Sequence, residues 1–381
     1  MSTGSKTIIW LIIAVVVIVG IWYGVSRKGP GEEDPIKIGT LLPLTGDLAS
    51  YGLEAQKAFD MAIEEINNNG GIDGQLLEAI HEDSQCDPAA ATTATQKLIN
   101  IDEVKIIVGA ACSGATLATA PITEAAEVIL ISPFSTSIDI TNAGDFVFRT
   151  SPSDALVAKK TAELAYDTYG HTKAAVIAEN TDFSQALKKS FSENFEEMGG
   201  EIVASEDYNT DDTDLKTQIL KVKESGAEVV FFAPQSPTPG ALLLKQAAEL
   251  GLEARIIGNE FFGDKDLISA AQEAAEDVVY YIPGTSSDSP KTAKFYSDYQ
   301  EKYGEEIAIV QYTPNVYDTV QLLADALKEH GEDTAKIRDY LYGIKNYEGV
   351  SGKFSFDENG DVDKDYTLMV IKDGEAVVSE E

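Results

Sequence analysis

The sequence predicts an α/β protein of two lobes, each a mostly parallel sheet flanked by helices. Three observations carry this expectation. Apolar runs of strand length alternate with amphipathic stretches of helical period from residue 36 onward. The alternation restarts near Ser153 as a second unit, and further helices are left over after that unit ends. Strand–helix–strand alternation dictates parallel pairing with right-handed crossovers. The surplus helices imply that the chain crosses between the lobes more than once, leaving a ligand cleft between them.

Residues 36–42 read as the first strand, and 51–67 as an amphipathic helix with Phe59, Ala62, Ile63 and Ile66 on one face. A strand at 76–81 precedes a helix at 88–100, whose Pro88 holds a permitted first-turn position. Strand 105–108, helix 115–126 and strand 128–132 complete the first unit. The second runs through helix 155–169, strand 174–178, helix 184–198, strand 201–205, helix 213–224 and strand 229–233. Helix 240–250 and strands 254–258 and 278–282 close it, and helices 292–302, 315–329 and 334–342 follow. The tail reads as antiparallel strands 353–356 and 366–371 joined through an Asn359-Gly360 turn.

Ahead of the first strand, residues 8–25 form an uncharged run of 18 between Lys6 and Arg27-Lys28. That is long enough to span a bilayer as a helix. No small-x-small cleavage site follows it, and no cysteine stands near its end to take a lipid. The expectation is therefore a short tail (1–7), an uncleaved transmembrane signal anchor (8–25), a flexible linker (26–35) and a globular part on the extracytoplasmic face of the membrane. Lobe 1 is expected over 36–153 and 284–352, and lobe 2 over 154–283 and 353–379.

A formal charge of −35, from 29 basic and 64 acidic residues, argues against nucleic acid and anionic membrane surfaces as partners. Hydrophobic residues make up 44% of the chain, ample for the cores of two domains.

The motifs of catalysis are missing. The loop Pro43-Leu44-Thr45-Gly46-Asp47 after the first strand is no glycine-rich phosphate cradle, and Gly-x-Ser-x-Gly is absent. His81, His171 and His330 stand far apart without a second ligand at metal spacing, so neither a metal, a cofactor nor an enzyme is expected. The acidic stretch 357–363 invites a calcium reading but lacks the glycine and glutamate of an EF-hand loop, and a turn explains it. Residues 209–214 read as an acidic N-cap for the helix that follows.

What the sheet edge carries is binding chemistry. Cys112-Ser113-Gly114 opens a helix, offering a hydroxyl and unpaired backbone N–H groups to an anion. Ser132-Pro133-Phe134-Ser135-Thr136 follows the next strand and supplies hydroxyls and carbonyls, and Asn259-Glu260 ends a strand of the second unit with a carboxylate. A carboxylate-binding helix end facing an isolated glutamate suits a zwitterion; caps and turns explain the same residues equally well. The two cysteines, Cys86 and Cys112, are 26 residues apart and form no Cys-x-x-Cys unit. Outside a reducing cytosol a disulfide is favoured over two free thiols.

These residues together resemble a known family, the branched-chain amino-acid-binding proteins of ABC importers, with the type I periplasmic binding fold. The resemblance runs from about residue 35 to 378. It rests on Ile38-Gly39-Thr40-Leu41-Leu42-Pro43-Leu44-Thr45-Gly46 with Tyr51-Gly52, on Ile66-Asn67 with Gly70-Gly71-Ile72, and on Cys86-Asp87-Pro88. Cys112-Ser113, Ile131-Ser132-Pro133, Phe148-Arg149-Thr150, Gly349 with Gly352, and Phe356-Asp357 add to it. The resemblance implies a disulfide between Cys86 and Cys112. It implies that Ser113 and Thr136 receive a ligand's α-carboxylate, while the Phe134 carbonyl and Glu260 take the α-ammonium, with Ser135 in the same loop. Tyr51 falls where the family sets an aromatic ring against the ligand side chain. Phe134 replaces a small residue, and Phe183 and Gln235 stand where tyrosines are usual. The implied function is capture of an amino acid or related small zwitterion by lobe closure and delivery to the permease of an ABC transporter. The alternative is a sensor that presents its closed form to a separate receptor.

Overall fold

The computed structural model describes residues 34–284 and 289–380. The tail, the anchor and most of the linker expected at the N-terminus lie outside these residues. Among the described residues no helix is long and apolar enough to cross a membrane.

The first sheet holds β1 (Ile36–Leu42), β2 (Leu77–Asp83), β3 (Ile106–Gly109), β4 (Ile129–Ser132) and β5 (Val147–Arg149) in the order β2-β1-β3-β4-β5. Every pairing in it is parallel. The connecting helices are α1 (Ala49–Asn68), α2 (Pro88–Asn100) and α3 (Ser113–Ala125). Helix α1 buries Tyr51, Ala55, Ala58, Phe59, Ala62, Ile63 and Ile66, the three-and-four spacing of a core-facing stripe. Helix α2 starts where Asp87 accepts the N–H groups of Ala89 and Ala90, with Pro88 already inside the first turn. Within β2, His81 joins the Thr40 hydroxyl of β1 to the Asp60 carboxylate of α1, a packing role.

The second sheet runs β14-β13-β10-β9-β8-β6-β7. Its strands are β6 (Lys173–Glu179), β7 (Glu201–Tyr208), β8 (Val229–Ala233), β9 (Arg255–Gly258), β10 (Val279–Pro283), β13 (Tyr366–Lys372) and β14 (Glu375–Val378). The first five pair in parallel, and β13 and β14 add antiparallel strands at one edge. Helices α4 (Asp154–Glu163), α5 (Asp182–Glu197), α6 (Lys216–Ser225), α7 (Pro237–Glu249) and α8 (Lys265–Ala271) serve this sheet. Helices α9 (Pro290–Tyr303), α10 (Thr313–His330) and α11 (Thr334–Gly343) return to the first, with α10 packed along α1. The strands β11 (Tyr347–Gly349) and β12 (Gly352–Phe354) form a hairpin of their own before the chain passes back to β13. The chain thus moves between the two sheets three times.

Several local expectations are corrected. The tail strands do not pair with each other: β12 pairs with β11 and β13 with β10, because the apolar face of β13 is needed to extend the second sheet. The Asn359-Gly360 turn closes only a single bridge between Phe356 and Val362. The acidic residues around it are committed locally, since the Asp357 carboxylate accepts the N–H groups of Asn359 and Asp361. The helix expected from 213 begins at Lys216, whose N–H is accepted by Asp214. The helix expected to reach Tyr169 stays α-helical to Glu163 and finishes as a π-turn over Leu164–Thr168. The three-residue β5 and the seven-residue α8 have no expected counterpart, being too short to show a period.

Candidate functional site

The carboxyl ends of the two sheets face each other, and between them lies a small cavity of about 40 Å³, lined by residues of both lobes. Parallel α/β sheets place ligands at that edge because the loops leaving the strands converge there with the N-termini of the following helices.

The first-lobe wall begins with Tyr51, in the first turn of α1. Helix and loop touch backbone to backbone here: a Cβ on the neighbouring Gly52 would fall 2.0 Å from the Pro43 carbonyl oxygen. Cys112 and Ser113 start α3, whose first-turn N–H groups lack partners within the helix. Cys112 is joined by a disulfide to Cys86, at the mouth of the β2–α2 loop. The loop after β4 supplies Phe134 and Thr136. It is held in shape by Ser132, whose hydroxyl donates to the Ala110 carbonyl at 2.6 Å and accepts the N–H of Ser135 at 2.9 Å.

The second-lobe wall is Phe183 at the start of α5, Gln235 after β8, and Glu260 with Phe261 in the 3₁₀ turn Glu260–Gly263 after β9. Asn259 fixes that turn by accepting the Phe261 N–H at 3.3 Å while its own amide donates to the Pro234 carbonyl at 2.6 Å. The Gln235 N–H donates to Glu179 at 2.8 Å, and its side-chain amide reaches across the cleft to the Cys86 sulfur at 3.2 Å. A second bridge between the lobes is the Tyr51 hydroxyl, which donates to Asp264 at 2.9 Å. The two walls also meet through rings, with Tyr51 against Phe261 at a centroid distance of 5.8 Å, while Phe183 packs on Phe261 within the second wall at 6.0 Å.

Seven of the expected residues therefore converge on one cavity: Tyr51, Ser113, Phe134, Thr136, Phe183, Gln235 and Glu260. Ser135 is placed differently. It does not line the cavity, and its hydroxyl is turned to the Ala110 carbonyl at 3.0 Å and to Thr116 at 2.8 Å. It supports the loop from behind, because Ser132 draws its N–H inward.

Two important residues escaped sequence reasoning. Tyr312, just ahead of α10, closes the base of the cavity: its ring lies 5.1 Å from Phe134 and its hydroxyl donates to Glu260 at 3.0 Å. The one available signal was an aromatic residue before Thr313-Pro314, a helix start. Helix α10 also steadies the first-lobe loop through Asn315, whose amide donates to the Pro133 carbonyl at 3.2 Å. The other missed residue is Asp154, the first residue of α4, which is buried and donates its backbone N–H to the Thr136 carbonyl at 2.8 Å.

Burial pushes the Glu260 carboxyl above the usual carboxylate range, and the Tyr312 hydroxyl bond partly offsets this. Burial likewise raises the Tyr51 and Tyr312 hydroxyls well above the ordinary tyrosine value, so both remain donors. Among the described residues no group of three or more His, Cys, Asp or Glu side chains is arranged to hold a metal ion. The cavity is lined by a carboxylate, by a helix N-terminus with its hydroxyl, and by aromatic rings.

Two sheet-and-helix lobes closed on such a cleft define a solute-binding protein. The periplasmic binding protein family profile matches residues 35–376. A leucine-, isoleucine-, valine-, threonine- and alanine-binding protein of Pseudomonas aeruginosa is 30% identical over 338 residues, covering 88% of this chain and 89% of the relative. Among solved structures, a leucine-binding protein LivK from Thermotoga maritima superposes with a TM-score of 0.82 at 27% identity, covering 90% of this chain and 97% of that one. The branched-chain amino acid transporter substrate-binding protein LivJ from Streptococcus pneumoniae, in complex with isoleucine, gives 0.80 at 30% identity, covering 91% and 100%. The chain belongs to the periplasmic binding protein family.

Proposed function

We propose that this protein captures an amino acid, branched-chain or a related small zwitterion, and hands it to the permease of an ABC transporter. The observation that carries the reading is the placement of Glu260, a buried carboxylate that lines the same cavity as the N-terminus of α3. An anion-favouring helix end and a carboxylate set apart in one small cavity match the two charges of an amino acid. In this reading Ser113 and Thr136 take the α-carboxylate, and Glu260 with the Phe134 carbonyl takes the α-ammonium. Tyr51, Phe134 and Phe183 surround the side chain, and Gln235 closes the second-lobe rim. The names of the relatives support an amino-acid ligand.

Lobe 1, at 36–153 and 284–352, grips the ligand first. Lobe 2, at 154–283 and 353–379, closes over it by hinge motion, and the closed form is what the permease recognises. Residues 8–25 anchor the protein to the extracytoplasmic face of the membrane. Binding is the whole of the chemistry, with no turnover of the ligand.

The test is a thermal-shift screen against amino acids followed by calorimetry. A specific ligand at a hundred times its dissociation constant stabilises the folded state by about 2.7 kcal/mol. Glu260→Ala leaves a buried ammonium uncompensated, which costs about 3–5 kcal/mol of affinity. Absence of a shift with every amino acid defeats the reading, and unchanged affinity in Glu260→Ala defeats the assignment of Glu260.

A further inference from the structure

The turn that carries Glu260 also holds a residue to which the roles given above assign nothing. Asp264 ends this 3₁₀ turn and begins α8. Bonds within its own lobe fix it. Its backbone N–H donates to the Phe261 carbonyl at 3.1 Å, and its carbonyl accepts the Ile268 N–H at 3.0 Å. Its Oδ1 caps α8, accepting the N–H groups of Asp266 at 2.8 Å and Leu267 at 3.3 Å. With one oxygen committed to the cap, the other, Oδ2, receives the Tyr51 hydroxyl from the first lobe at 2.9 Å.

Tyr51 meets this turn twice, through its hydroxyl on Asp264 and through its ring on Phe261, 5.8 Å between centroids. It is itself buried, in the first turn of α1. Gln235 and Glu260 also bond across the cleft, to the Cys86 sulfur and to the Tyr312 hydroxyl. Both of those second-lobe residues line the cavity, so a ligand meets them directly. Asp264 does not line it. Its bond to Tyr51 joins protein to protein, outside the space a ligand fills.

We propose that Asp264 is a positioning residue for ligand capture: on closure it receives the Tyr51 hydroxyl and seats the Glu260 turn against the first lobe, whatever the ligand's side chain. Tyr51 and Asp264 stand on opposite walls of the cleft, so opening the hinge parts them and the bond favours the closed form alone. Each is held by its own lobe, so little side-chain freedom is lost when they meet. Ligand leaves after the lobes part, so the bond slows release and leaves the first encounter unchanged. Because Asp264 lies off the cavity, its contribution is the same for every ligand. A ring that touches the ligand's side chain acts differently on each.

This inference rests on the amino-acid reading above, and its test separates the two. Release rates and affinities are measured for wild type, Tyr51→Phe, Asp264→Ser and the double variant. The probes are those of alanine, valine, threonine, leucine and isoleucine that bind wild type. Tyr51→Phe keeps the ring, and Asp264→Ser keeps an oxygen to cap α8 but has none left for Tyr51. Each single variant should release ligand about tenfold faster, the scale of one hydrogen bond to a charged acceptor. The double variant should release it no faster than either single one, since the same bond is lost in all three. Affinity ratios among the ligands should be unchanged in Asp264→Ser. Additive effects in the double variant, wild-type release in either single variant, or a changed ratio overturns the proposal. If Asp264→Ser fails to fold, Tyr51→Phe decides: release faster by a common factor for every ligand supports the contact, and wild-type or ligand-dependent release refutes it. If none of the five amino acids binds wild type, the functional reading falls and the proposal with it. Normal wild-type binding with additive variants defeats the proposal alone.

Discussion

Replacing Asp361 with asparagine tests how the last passage of the chain is held to the first sheet. Arg149, at the end of β5, is fully buried, and Asp361 is 8% exposed. The guanidinium donates through Nε to one Asp361 oxygen at 2.6 Å and through Nη2 to the other at 2.7 Å. Its remaining donors serve the Ser137 carbonyl at 2.8 Å and the Thr141 hydroxyl at 2.9 Å. Asparagine keeps the shape of aspartate but removes the negative charge and turns an N–H₂ toward a donor. An uncompensated buried charge of this kind costs about 3–5 kcal/mol. With roughly 340 described residues and a specific unfolding entropy of about 2.1 cal/mol/K per residue, 1 kcal/mol corresponds to about 1.4 °C. The melting temperature should therefore fall by about 4–7 °C, measured by calorimetry without ligand. The control is the exposed pair of Lys336 and Asp333, which has a similar separation of 2.8 Å. Lys336→Ala should leave the melting temperature nearly unchanged, because water screens that exposed pair. The double replacement Arg149→Met with Asp361→Leu should recover much of the loss, since a packed apolar pair removes the desolvation penalty along with the attraction. A shift in Asp361→Asn no larger than in Lys336→Ala refutes the argument.

Two further outcomes follow from the rim and the hinge. Reducing the Cys86–Cys112 bond, or replacing both cysteines with serine, frees a loop of 26 residues and should cost about 3.5 kcal/mol by loop-closure entropy; a double-serine variant melting with wild type counts against it. Lys364, buried against Asn315 and Ser351, is pushed down to about 8 by burial, with the Asp318 charge opposing. Between that value and the ordinary lysine value of about 10.4, the unfolded chain binds a proton that the folded chain does not. Wild-type stability should accordingly rise with pH relative to Lys364→Met across this window, by on the order of 3 kcal/mol in full. Urea midpoints at several pH values read the difference, and a difference independent of pH argues against a neutralised lysine.

Much of the site's first-lobe rim was readable along the chain, because local chemistry builds it. Asp87-Pro88 sets a helix start, the serine-rich run after β4 folds on its own hydroxyls, and Cys112-Ser113 opens α3. The same reading misplaced Ser135, since the side to which a loop hydroxyl turns depends on which carbonyl lies behind it. Here that is Ala110, 25 residues earlier. Gln235 was expected at the rim, but its bond to the Cys86 sulfur exists only once the lobes face each other.

The sequence by itself determined the alternation of strands and helices, and with it two parallel sheets whose carboxyl ends carry the binding loops. Periodicity and capping act over a few residues, and a single chain displays them fully. Tertiary structure alone decided what closes the cavity and what charges it. Tyr312 meets Glu260 across 52 residues, Tyr51 meets Asp264 across 213, and Arg149 meets Asp361 across 212. These partners are brought together by a chain that passes three times between its lobes, and no local pattern records which passage lies beside which.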